Sequence, residues 1–145
     1  MVSLAESLFG INVSELDMKT TKDLRILVVD DNPINQRLAS LILRRFDLKF
    51  DLAFNGTEAI QMYQQNAYDL IFMDLQMPDM DGMEASRQIR GLEKESGALH
   101  PVFIIALSAN EAFEKKEQCL KSGMDDFMEK PFQPHKLSDI LEKLF

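Results

Sequence analysis

The stretch DLIFMDLQMPDMDG, residues 69–82, decides how the chain folds. Its first half is an apolar run closed at each end by a carboxylate, with none of the alternation of a half-buried strand. Strands covered on both faces read this way, and they belong to parallel sheets whose crossovers are helices. The second half sets Pro78 and Gly82 among acidic residues, which is the composition of a loop. Asp74 therefore stands where a buried strand meets a loop.

Working outward, the same alternation repeats. Upstream, RILVV (25–29) is a second uninterrupted apolar run, followed by PINQRLASLILRRF. There Ile34, Leu38, Leu41, Ile42 and Arg45 recur at helical spacing, with Pro33 fitting the first turn and Asn32 its cap. FDLAF (50–54) is a weaker strand, and NGTEAIQMYQQNA a helix with Asn55 and Gly56 in the turn and Thr57 as its cap. Downstream, MEASRQIR is a helix and EKESGALHP a polar connection. VFIIAL (102–107) is a strand, EAFEKKEQCLKS a helix stopped by Gly123, DDFMEK a short strand and PHKLSDILEKLF a terminal helix. Five strand–helix pairs make an α/β doubly wound sheet of single-domain size over residues 24–145. Residues 1–23 fall outside the alternation and read as a linker or mobile amino-terminal tail.

Bulk properties narrow the function. The 145 residues carry 16 Lys and Arg against 24 Asp and Glu, a formal charge of −8 that repels nucleic acid phosphates. No apolar run reaches the roughly 20 residues of a membrane helix. The chain is expected to touch neither nucleic acid nor membrane directly. One cysteine, Cys119, and an amino terminus unlike a secretory signal point to the cytoplasm. Cys119 reads as a packed small side chain, His100 and His135 as surface residues, and most methionines as core. Met77 and Met80 flank the acidic loop and are candidates to meet a partner.

Ligands of doubly wound sheets bind outside the carboxyl ends of the strands. Those ends are polar here: Asp30 and Asp31, then Asp74, Ser108 and Lys130. Any one acid after a strand is an ordinary turn former, but three converging carboxylates repel by several kcal/mol per pair at an effective dielectric of about 20. Such a cluster calls for a hard cation, Mg²⁺ or Mn²⁺, with Lys130 as a further point charge. This suits an oxygen nucleophile meeting a phosphoryl group, and Asp74, central among the strand ends, is the best nucleophile.

VVDDNPINQRL, MDLQMPDMDGMEASRQIR, IIALSAN and GMDDFMEKPF, in that order, closely resemble the response-regulator receiver family. The resemblance covers residues 24–145 and implies a flavodoxin-like, five-stranded parallel sheet of order 2-1-3-4-5. It implies that Asp74 is the phosphoacceptor, that Asp31 and Asp74 ligate the metal directly, and that Asp30 does so largely through water. The Gln76 carbonyl would complete the ligands. Lys130 and Ser108 would contact the phosphoryl group, with Ser where Thr is common. Ala109 would leave room beside it, and Phe127 would hold the aromatic switch position. A cis Lys130–Pro131 bond is implied as well.

The signatures look most like receivers of hybrid histidine kinases, so the expected partners are histidine kinases or histidine phosphotransfer domains in a two-component phosphorelay. A domain of this kind catalyses its own aspartyl phosphorylation and dephosphorylation. The chain is expected to be either a stand-alone receiver or one severed from a longer kinase, and a weak dimer stays open. Two surfaces are candidates for contacts: the first helix, and the face of the fourth helix, fifth strand and fifth helix. Two competing functions remain: an Asp-nucleophile metal-dependent phosphohydrolase and a phosphorylation-independent interaction module. Gln76 stands where the hydrolase class usually wants a second carboxylate, and no pocket residue is lost as an inert module would allow.

Overall fold

Five apolar runs become strands: β1 (Arg25–Val29), β2 (Lys49–Ala53), β3 (Leu70–Asp74), β4 (Phe103–Ser108) and β5 (Asp126–Glu129). The computed structural model describes residues 23–109 and 112–145. The tail expected over residues 1–23 lies outside them, apart from Asp23. All neighbours pair in parallel, in the order β2-β1-β3-β4-β5. The crossovers and terminal element are α1 (Pro33–Arg45), α2 (Gly56–Gln65), α3 (Gly82–Ser96), α4 (Ala112–Lys121) and α5 (Pro134–Leu144). No helix among the described residues is long and apolar enough to cross a membrane.

Successive strand residues point to opposite faces, which explains the uninterrupted apolar runs. Ile26, Val28, Leu70, Phe72 and Ile105 share one core with Leu43 of α1 and Leu137 of α5. Leu27, Val29, Ile71, Met73 and Ile104 share the other with Ala59, Ile89 and Cys119 of α2, α3 and α4. Cys119 is buried as a small packed side chain, whereas His100 and His135 are exposed.

Two local expectations need correction and a third is refined. The helical spacing of Ile34, Leu38, Leu41, Ile42 and Arg45 holds over α1, but Ile34 is 77% and Leu41 52% exposed, so these residues are not all on its buried face. The inner face is Gln36, Ala39, Ser40, Ile42 and Leu43, with small and hydrogen-bonding residues where main chain lies close. Asn55, not Thr57, caps α2, its side chain accepting from Glu58 N at 2.7 Å. The polar stretch 93–101 is helical through Ser96, and α3 stops only at left-handed Gly97, φ 67°.

Glu93 explains the longer helix. Its buried carboxylate accepts from Arg90 Nη1 at 2.6 Å and from Val102 N at 2.6 Å. Arg90 also donates to the carbonyls of Val102 and Gly123 and to Asp125. A paired, fully bonded charge network of this kind is tolerated in low dielectric. It ties α3 to the start of β4 and to the turn before β5, at the end of the sheet opposite the acidic residues.

Candidate functional site

Each strand of the sheet's centre delivers a polar residue at its carboxyl end. β1 runs out at Val29 and is followed by Asp30 and Asp31, while β3 ends on Asp74 and β4 on Ser108. Lys130 lies one residue past β5, yet its N–H still donates to Ser108 O at 2.7 Å, which keeps it against the crevice. Asn32 turns the chain away into α1, its Oδ1 accepting from Ile34 N and Asn35 N.

One carboxylate oxygen from each of Asp30, Asp31 and Asp74 lies within 4.8 Å of the others. Asp30 and Asp74 are buried and Asp31 is exposed at the mouth. Lys130 Nζ donates to Asp74 Oδ1 at 2.9 Å and stands 3.4 Å from Asp30 Oδ2. Gln76 N donates to Asp74 Oδ1 at 3.2 Å, and Asn32 N to Asp30 Oδ1 at 2.9 Å. One ammonium thus faces three carboxyl groups, leaving the crevice negative. Its donors are all oxygens of the kind that hard divalent cations take, so the residues fit such an ion.

Burial pushes the Asp74 carboxyl from 3.8 up to about 6; the Lys130 hydrogen bond opposes this and the charge of Asp30 reinforces it. Burial also works against the Lys130 ammonium, but the hydrogen bond to Asp74 and the charge of Asp30 outweigh it and raise its pKa. Perturbed groups held in contact at a strand end mark a place where chemistry is prepared.

The buried Ser108 hydroxyl has no hydrogen-bond partner among the described residues. An orphaned hydroxyl destabilises the resting state, so Ser108→Ala is expected to be neutral or to stabilise the unmodified protein by up to about 1 kcal/mol in urea denaturation. A loss of more than that would mean that the hydroxyl is already bonded.

The fold brings together Asp30, Asp31, Asp74 and Lys130, with the Gln76 amide beside them. Ala109 is exposed just after Ser108, and Phe127 is half-buried on β5 with Lys116 Nζ 5.6 Å from its ring centroid. The Lys130–Pro131 bond is cis. Met77 is packed in the core rather than offered to a partner, and Met80 lies over Gly56. Two residues that the sequence reading passed over border the site. Gln36 hydrogen-bonds the main chain beside the acidic pair, and Gly82 abuts the Asp74 carbonyl. An amide amid the first turn after DDNP, and a glycine opening a helix, were the available signals.

Comparison with known proteins accounts for this arrangement. The response regulator receiver domain model matches residues 26–142. Hybrid signal transduction histidine kinase B of Dictyostelium discoideum is 45% identical over 124 residues, 81% of this chain and 6% of that protein. The osmolarity two-component system protein SSK1 of Saccharomyces cerevisiae is 34% identical over 142 residues, 83% of this chain and 20% of that protein. The chain thus spans a small part of these curated relatives. Among solved structures, the Ssk1 receiver domain, crystallised with the histidine phosphotransfer protein Ypd1, superposes with a TM-score of 0.80 at 37% identity, covering 87% of this chain and 91% of that one. The receiver of sensor histidine kinase PA1611 from Pseudomonas aeruginosa, with magnesium in its active site cleft, gives 0.71 at 36% identity, covering 83% and 96%. With the strand order, the acidic crevice and the family match in agreement, the chain belongs to the response regulator receiver domain family.

Proposed function

We propose that the chain accepts a phosphoryl group from a phosphohistidine onto Asp74 in a Mg²⁺-dependent reaction, within a phosphorelay. The observation that carries this reading is the Asp74 carboxylate at the end of β3, held 2.9 Å from Lys130 Nζ with the oxygens of Asp30 and Asp31 within 4.8 Å. A structural ion pair would need no third and fourth charged group in contact with it.

In the step proposed, an Asp74 carboxylate oxygen forms a bond to phosphorus as the P–N bond of the phosphohistidine breaks. The electron pair of that bond leaves on the imidazole nitrogen, which takes up a proton from solvent. A divalent cation held by Asp30, Asp31, Asp74 and the Gln76 carbonyl would neutralise charge on the phosphoryl oxygens. Lys130, released from its contact with Asp74, meets a second oxygen as a point charge. Ser108 then gains the acceptor it lacks, and its movement past Ala109 opens room for Phe127 to turn inward. Phosphorylation so biases a two-state equilibrium rather than creating a new fold.

The donor docks, in this reading, on α1. Ile34 and Leu41 expose apolar surface there, Arg37 is exposed between them, and the helix starts two residues after Asp31. A histidine phosphotransfer domain or kinase dimerisation helix with apolar residues around its histidine would cover that face. The same reading puts the domain in a reducing cytoplasm, where a lone thiol such as Cys119 persists.

Incubation with Mg²⁺ and a small acyl phosphate is expected to add one phosphoryl group, and Asp74→Asn to abolish it. Full labelling of the Asp74→Asn protein would end the assignment, and sustained turnover of phosphate esters would favour a hydrolase instead.

A further inference from the structure

We infer that Gln36 is a positioning residue for the acidic crevice, its carboxamide fixing the peptide between Asp30 and Asp31 so that both carboxylates converge on Asp74. The inference rests on the metal-dependent reading of the site given above.

Gln36 lies in the first turn of α1 and is 2% exposed. A carboxamide is not buried without partners, and its Nε2 donates to Asp30 O at 2.9 Å and to Ala53 O at 2.7 Å. Because both partners are carbonyls, the nitrogen and not the oxygen must face them.

The need for this side chain follows from the sheet. The β1–β2 ladder ends at the Val29–Ala53 pair, with one more bond from Asp30 N to Ala53 O at 3.1 Å. Beyond it the chain leaves for α1, and β2 offers no further donor to Asp30 O. Gln36 supplies that donor and bridges the two strand ends. Asp30 O belongs to the peptide unit joining Asp30 to Asp31, so the bond fixes a plane from whose two ends the two carboxylates hang. Rotation of that peptide would swing Asp31 away while leaving β1 paired. Groups that orient metal ligands from behind in this way usually change affinity about 10–100-fold when removed.

The test is a Mg²⁺ titration of the 145-residue chain, followed by the amide shifts of Asp31 and Asp74, on the parent, Gln36→Met and Ser40→Ala. Gln36→Met keeps the length and loses the donors, whereas Ser40→Ala removes a bond to the Gln36 carbonyl and leaves the carboxamide in place. Gln36→Met is expected to need at least about tenfold more Mg²⁺ and to regain the parent's labelling rate at saturating Mg²⁺; Ser40→Ala should match the parent. A role in stability alone would lower the melting temperature and leave Mg²⁺ affinity unchanged, and that result in a folded Gln36→Met overturns the inference. Should Gln36→Met fail to fold, the parent decides: Gln36 carboxamide protons that shift with Mg²⁺ in step with Asp31 support the role, and protons indifferent to Mg²⁺ overturn it. A parent that binds no Mg²⁺ overturns the site reading itself, and this inference with it.

Discussion

Gly82→Ala is expected to slow phosphorylation of Asp74 about 100-fold and to cost about 3 kcal/mol of stability. A Cβ built on Gly82 meets Asp74 O at 2.2 Å, Asp74 C at 3.0 Å and Met73 Cγ at 3.0 Å. The nearest obstructing atom, Asp74 O, is main chain, so no rotamer relieves the clash, and either the start of α3 or the end of β3 must shift by roughly 1 Å, the scale of misplacement that can cost about 100-fold in rate. Neither yields easily. Gly82 N donates to Leu75 O at 3.1 Å, and Leu75 N to Leu107 O at 3.0 Å, so the helix start is tied to the strand end and the strand end to β4. Whichever moves, the carboxylate leaves its place beside Lys130. Gly91 in the same helix is the control: nothing lies within 4 Å of its Cβ position, so Gly91→Ala should stabilise by about 1 kcal/mol. Urea denaturation and acyl phosphate labelling at saturating Mg²⁺ check both. Parent-like stability and rate in Gly82→Ala would remove the steric argument.

The strands and the polar residues at their ends were legible because they depend on contrast along the chain. An apolar run buried on both faces looks different from anything else, and Asp74 or Lys130 stands out against it without knowledge of the third dimension. Gln36 was not legible for the opposite reason. A buried amide serving two carbonyls and a solvated amide look the same in a helix, and the apolar spacing of α1, which includes the exposed Ile34 and Leu41, does not single Gln36 out. Glu93 reads as part of a polar connection until Arg90 and the Val102 amide are seen beside it. Gly82 marks a loop by composition, whereas its function is to let main chain approach main chain. Each miss is a contact across the fold to a backbone group, which carries no residue identity.

Asp74→Asn is expected to remove all labelling and at the same time to make the metal-free protein more stable by about 1–2 kcal/mol above pH 6. In the parent, folding raises the Asp74 carboxyl from 3.8 to about 6, burial being the first cause. The folded state therefore binds more protons than the unfolded state between pH 4 and 6. By linkage, the stability contributed by the protonated carboxyl is fully present below 3.8 and is lost as pH rises through 6. An ionised Asp74 at pH 7 then carries a penalty on the order of 2–3 kcal/mol, reduced by solvent at the crevice mouth to about 1–2 kcal/mol. Asparagine has no charge to bury, and its Oδ1 can still accept from Lys130 and Gln76 N. The two proteins should match near pH 4 and diverge as pH approaches 7, the difference between them isolating Asp74 from every other titrating group. Mg²⁺ should close the gap from the parent's side, because an ion that binds only the folded parent stabilises it by mass action. Equal stability of parent and Asp74→Asn at pH 7 without Mg²⁺ would show that the carboxylate is ionised in place at no cost.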